Sequence, residues 1–148
     1  MATEGSLFIL DCSNQTPQKP FHYPGDNETF GSGVRLTDFI GLKKLGISYE
    51  VLPPGKRSSY PHAHTDEEEF AYVISGTPTL WLDGYSRTLE AGHFAAFPPN
   101  TGLAHTLINN SSENVVYISI GEATSIPGEL ISYPLNPLRK KECSRKGW

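Results

Sequence analysis

Cysteine is scarce in this sequence: there are two among 148 residues, Cys12 and Cys143, one near each end. So few thiols exclude a disulfide scaffold and a zinc ribbon built on cysteine pairs. Free thiols are the simpler reading, since the two could pair only if the ends met in space. An excess of positive charge is also missing, because Lys and Arg total 12 against 16 Asp and Glu, for a net charge of −4. The one basic cluster, Arg139-Lys140-Lys141 with Arg145-Lys146, reads as a solvated tail. No nucleic acid is expected as a partner. No apolar run approaches the length of a membrane span, so no membrane is expected either. The first thirty residues lack a charged stretch followed by an apolar core, so no secretory signal is expected and the expected location is cytoplasmic. Neither a phosphate-cradling glycine loop nor a Ser-His-Asp order is present.

Glycine and proline are plentiful, 14 and 12 residues, and they punctuate short apolar runs. This pattern fits an all-β fold with many turns. The length argues for one domain that buries roughly two-thirds of its unfolded surface and needs no covalent staple.

Residues 1–44 read as an N-terminal arm with edge strands. Ser6–Leu10 has strand character, and a Pro-rich polar stretch follows through Tyr23-Pro24-Gly25-Asp26. The arm is expected to run over a surface and to pack on a neighbouring barrel. His22, alone in it, has little weight as a ligand. Val34–Ile40 alternates only partly, which fits a strand or a loose turn. Residues 45–121 carry the strand rhythm. Leu45–Leu52 alternates, with Leu45, Ile47, Tyr49 and Val51 on one face, and Pro53-Pro54-Gly55 stops it. Further strands are expected over Glu69–Ser75, Thr79–Leu82, Tyr85–Leu89, Phe94–Phe97, Ala104–Asn109 and Val115–Ile120, with an Asp83-Gly84 hairpin turn. Residues 122–148 form a C-terminal extension with one short edge strand near Leu130–Pro134.

The stretch Gly55–Gly76 concentrates the chemistry. His62 and His64 are two residues apart, which on an extended strand puts both imidazoles on one face. Glu69 follows an acidic turn, Asp66-Glu67-Glu68, whose first two residues read as solvated. Two imidazoles and a carboxylate converging from adjacent strands suit a divalent transition metal. His105, on a later strand, offers a fourth donor.

These residues resemble the cupin superfamily in its single-domain form. The first cupin motif is matched by Gly55, His62, His64, Glu69 and Gly76, and the second by Gly92, Pro98, Gly102, His105 and Asn109. The spacing departs from the family pattern by one residue between Gly55 and His62 and by two between Pro98 and Gly102. His93 stands where an Asp often follows the glycine. Extra loop length of this kind costs little.

The resemblance implies a double-stranded β-helix, a jelly-roll barrel with a metal inside. It implies His62, His64, Glu69 and His105 as metal ligands. Glu68 is the alternative carboxylate, and the six residues between Glu69 and Gly76 favour Glu69. The four glycines would be turn residues, and Asn109 would brace a turn. Three neutral imidazoles and a carboxylate suit Fe, Mn, Ni, Co or Zn as a divalent ion, with about two coordination positions left open. Tyr60, Tyr49 and Tyr117 are candidates to line the pocket and move a proton. The implied activity is that of a metal-dependent enzyme acting on a small organic metabolite, by oxygenase, decarboxylase, isomerase or epimerase, or lyase chemistry. A non-enzymatic binding module for a sugar, an acid or another small ligand is the alternative. A sensor fused to a DNA-binding unit finds no room at either end. A homodimer is expected, because pairing of copies covers exposed strand edges.

Overall fold

The computed structural model describes residues 9–12, 19–122 and 131–139. Cys143, most of the basic tail and most of the Ser6–Leu10 expectation lie outside the described residues, whereas the edge strand expected near Leu130–Pro134 is present over Ile131–Ser132.

Ten strands and one helical turn make up the described chain. They are β1 (Ser32–Arg35), α1 (Thr37–Ile40), β2 (Leu45–Leu52), β3 (Ala63–His64), β4 (Glu69–Ser75), β5 (Thr79–Leu82), β6 (Tyr85–Thr88), β7 (Phe94–Phe97), β8 (His105–Ile108), β9 (Val115–Glu122) and β10 (Ile131–Ser132). A five-stranded sheet runs β1-β2-β9-β4-β7, and a three-stranded sheet runs β6-β5-β8. β3 pairs with β10. Isolated bridges, Arg57 to Ile108 and His62 to His105, continue the smaller layer towards β3. Every ladder is antiparallel. This is the expected all-β jelly roll.

The partly alternating stretch after Gly33 divides in two. Ser32–Arg35 adds the edge strand β1, and Thr37–Ile40 makes one helical turn ended by Gly41 at φ 69°. The described part of the arm folds against its own barrel. Phe30 N–H donates to the Phe21 carbonyl and Phe21 N–H to the Gly31 carbonyl, across the Tyr23–Asp26 turn. Phe30 then packs with Tyr60 and Tyr133, flanked by Tyr23 and Ile131. Arg57 clamps Glu28 at 2.7 Å, and Arg139 reaches Asp26 at 2.9 Å. Burial of these aromatic rings, each worth about 1.5–3 kcal/mol, ties the arm down intramolecularly.

The main core lies between the sheets at one end of the barrel. Leu52, Val73, Leu89, Leu107 and Val115 meet there, with Leu80 and Phe97 packed alongside. Asn109 closes this end. It is fully buried, and its Nδ2 donates to the carbonyls of Leu52 and Glu113 at 2.7 Å each. Its Oδ1 accepts from Ser111. Gly76, at φ 83°, lies so close to the Asn114–Val115 backbone that a Cβ would come within 2.9 Å of it. Both residues act in turns, one by hydrogen bonds and the other by lacking a side chain. Among the described residues, no helix is long and apolar enough to cross a membrane.

Candidate metal centre

The backbone aims the histidines. His62 and His105 face each other in a bridge, His105 N–H donating to the His62 carbonyl at 2.9 Å and His62 N–H to His105 at 3.2 Å. His64 follows His62 by two residues, and Glu69 opens β4 opposite Phe97. All three imidazole Nε2 atoms converge on one oxygen, Glu69 Oε2. The separations are 2.8 Å for His105, 3.4 Å for His64 and 3.5 Å for His62. His62, Glu69 and His105 each place a ligand atom within 4.8 Å of the others.

Outer contacts set the ring orientations. His62 Nδ1 lies 2.9 Å from the Tyr60 carbonyl, which can only accept, so this nitrogen carries the proton. Its Nε2 lone pair is then turned to the centre. Glu67 Oε2 stands 3.4 Å from His64 Nδ1, the usual arrangement of a carboxylate behind a ligating imidazole. Glu67 is therefore no solvated turn residue, as its neighbours in sequence suggested. The His105 ring stacks flat on Phe97, with centroids 3.6 Å apart.

The donor chemistry fits a cation. Neutral imidazole lone pairs gathered around a carboxylate oxygen repel one another unless a positive charge lies among them. Donor separations near 3 Å also match ligands held about 2.1 Å from one ion. Burial raises the Glu69 carboxyl, but its close contacts with the His105, His62 and His64 rings outweigh it and hold the group well below the usual carboxylate range. Burial pushes His105 down, aided by the charges of His62 and His64 and opposed by its bond to Glu69. A carboxylate beside a neutral His105 imidazole is the ionisation state a divalent metal takes.

The centre opens into a cavity of about 510 Å³. Its wall is the inner face of β2 and β9, where Ser48 pairs with Ser119 and Glu50 pairs with Tyr117. Ser58 and Ser59 add hydroxyls, and Arg35 and Lys19 also line it.

A family model for the cupin domain matches residues 48–121, half of the sequence. The chain belongs to the cupin family. A candidate sugar phosphate isomerase from Acidithiobacillus ferrooxidans superposes with a TM-score of 0.80 at 27% identity, covering 90% of this chain and 85% of that one. A cupin sugar phosphate isomerase from Silicibacter pomeroyi gives 0.76 at 29% identity, covering 84% and 80%. A predicted oxalate decarboxylase from Thermotoga maritima gives 0.64 at 19% identity, covering 78% and 99%, and shares the fold. A search of curated proteins finds no match.

The sequence candidates fall in different places within this cupin. His62, His64, Glu69 and His105 come together, whereas Glu68 is exposed on the turn outside the cluster. Of the tyrosines, Tyr117 lines the cavity. Burial, with the charges of Glu50 and Glu69 nearby, raises its phenol well above the ordinary value, so it serves as a hydrogen-bond donor. Tyr60 instead lies in the arm cluster, outside the cavity lining. Its hydroxyl is bonded to Asp26, which with burial pushes it up to about 12. The backbone after Tyr60 does not run as a strand until Ala63, so the spacing from Tyr60 to His62 does not place them on one face. Tyr49 pairs with Val34 and Ile118, and alternation turns it to the side opposite Glu50, away from the cavity. Glu50 and the Ser48–Ser119 pair were missed. Their signal was the polar phase of β2, Gly46-Ser48-Glu50, which interleaves with the apolar one.

Proposed function

We propose that this cupin is a metal-dependent isomerase of small phosphorylated sugars. The observation that carries the reading is a cation-type donor set opening onto a cavity lined with hydroxyls. Ser48, Ser58, Ser119 and Tyr117 suit a polyhydroxylated ligand, and Arg35 and Lys19 suit its anionic group. The two relatives at 27% and 29% identity are described as sugar phosphate isomerases, which supports the same class.

His62, His64, Glu69 and His105 would hold the ion. A divalent metal bound there supplies Lewis-acid polarisation of a substrate oxygen. The protein's own part is to seat the sugar. Serines on β2 and β9 accept from and donate to its hydroxyls, the Tyr117 phenol donates, and Phe97 with Leu107 closes the apolar side. The reading includes a homodimer through the outward face of the larger sheet, where Tyr72, Ile74 and Phe94 are 41%, 43% and 61% exposed.

The test is elemental analysis of the purified protein, followed by incubation with aldose and ketose monophosphates and detection of interconversion. Close to one equivalent of metal per chain, with isomer formation, supports the reading. Metal with tight binding of a sugar phosphate but no conversion would make this a binding module instead. No metal uptake from iron, manganese, nickel, cobalt or zinc would sink the metalloenzyme.

A further inference from the structure

We infer that Glu50 is the proton-transfer residue of this site, the group that takes a proton from one carbon of a bound sugar and returns it to the next. The inference rests on the isomerase reading and names the residue that reading lacks.

Glu50 sits in the middle of β2, between Gly33 of β1 and Tyr117 of β9. Its side chain is partly buried and lines the cavity shared with His62, Glu69 and His105. Among the described residues its carboxylate has no hydrogen-bond or ion-pair partner. Every other carboxylate in that cavity's lining is accounted for, since Glu69 is surrounded by imidazoles. Gly33 is part of the construction, because a Cβ there would collide with the Glu50 carboxylate. The neighbouring strand is thus bare of side chain where the carboxylate lies.

A carboxylate kept inside without a partner is costly to a fold, and such groups cluster where acid–base work is done. The charged groups around it are few. Arg35 lies two residues along β1 from Gly33 and is engaged with Thr37 and Asp38. Tyr117 lies on the other side, within electrostatic reach of both Glu50 and Glu69, and Lys19 lines the same cavity. Burial raises the Glu50 carboxyl from its ordinary value to about 7, so both protonation states are populated near neutrality. A general base and its conjugate acid work best under that condition.

The step balances without an oxidant. Glu50 takes the proton from the hydroxyl-bearing carbon next to the carbonyl. The C–H electron pair forms the C=C bond of an enediol, and the carbonyl π pair moves to its oxygen. The hydroxyl proton passes to that oxygen, the second oxygen closes to a new carbonyl, and Glu50 returns its proton to the first carbonyl carbon. Tyr117, kept protonated, donates to the oxygen that gains charge.

The test uses metal-loaded full-length protein in deuterated water with ribose 5-phosphate, arabinose 5-phosphate, glucose 6-phosphate and mannose 6-phosphate. Glu50→Gln preserves shape and removes the base, and Glu50→Asp keeps the acid but withdraws it by one methylene. In the wild type we expect conversion of at least one sugar, with deuterium appearing on carbon. In Glu50→Gln we expect unchanged metal content, ligand affinity within about threefold by calorimetry, and both turnover and deuterium incorporation reduced about 10³-fold. Glu50→Asp should lie between. A Glu50→Gln turnover within about threefold of wild type, alongside an active wild type, overturns the role of Glu50 and leaves the isomerase reading intact. If Glu50→Gln does not fold, an unimpaired Glu50→Asp overturns it equally. A wild type that binds metal yet converts none of the sugars and exchanges no deuterium removes the isomerase reading, and this role for Glu50 falls with it.

Discussion

The two faces of the larger sheet carry opposite chemistry, and in the reverse of the usual arrangement. An antiparallel sheet in a small protein commonly turns its apolar face inward and its polar face to water. Here β2 and β9 turn Ile47, Tyr49, Val51, Val116, Ile118 and Ile120 outward. Inward they turn Ser48, Glu50, Tyr117 and Ser119. Among the described residues, the inner face of this sheet is apolar where Leu52 and Val115 meet Val73 and Leu107. The barrel is thus packed at one end and holds a polar chamber at the other. A polar inner face leaves the apolar strand positions on the outside.

That contrast can be broken from the inside first. His62→Ala or His105→Ala should remove nearly all bound metal and all turnover, since each takes a donor from the set. The assembly state should stay as in wild type. Elemental analysis beside light scattering checks both. Loss of assembly in these variants would mean that the two faces are not independent.

The outer face gives the complementary break. Tyr72→Asp with Phe94→Asp should convert the proposed dimer to monomer while metal content and turnover persist. Sedimentation velocity reads the first and activity the second. A wild type that is already monomeric at micromolar concentration would remove the premise.

A smaller effect is expected from the contact behind the donors. Glu67→Gln should weaken metal affinity by about 10- to 100-fold with no change in fold, because Glu67 orients and polarises His64 from its Nδ1 side. A competition titration with a chelator measures it. An unchanged affinity would make Glu67 an ordinary turn residue.

The mildest change concerns stability. The Glu50 carboxyl is raised in the folded protein from 4.5 to about 7. Between those values the folded state holds more protons than the unfolded one, so Glu50 lowers stability progressively as pH rises through that window. Glu50→Gln should therefore leave the melting temperature unchanged near pH 4.5. By pH 8 it should raise it, by an amount on the order of 2 kcal/mol or a few degrees. A melting temperature equal to wild type at both pH values would mean that the group is solvated in the native protein.

Much of this was readable before any coordinates. The seven strands expected between Leu45 and Ile120 all formed, because their alternation and their Gly and Pro stops are local properties. Spacing and the resemblance to cupins also singled out His62, His64, Glu69 and His105, whose side chains the fold brings together. The tyrosines could not be sorted in the same way. Tyr49, Tyr60 and Tyr117 look alike in sequence. Only strand pairing separates the outward Tyr49 from the inward Tyr117, and only the folded arm shows that Tyr60 is bonded to Asp26. The arm's contacts with the barrel were not legible either, because they join residues far apart in the chain, such as Arg57 and Glu28, 29 residues apart.

Periodicity and turns were legible in the chain alone, since each depends on residues close together in sequence. The tertiary structure decided which phase of β2 faces the chamber. Alternation defines two faces, but only the pairing of β1, β2 and β9 around a common interior tells which one is inside. That choice is what brought Glu50, an unremarked glutamate between Tyr49 and Val51, into the same cavity as the metal-type centre.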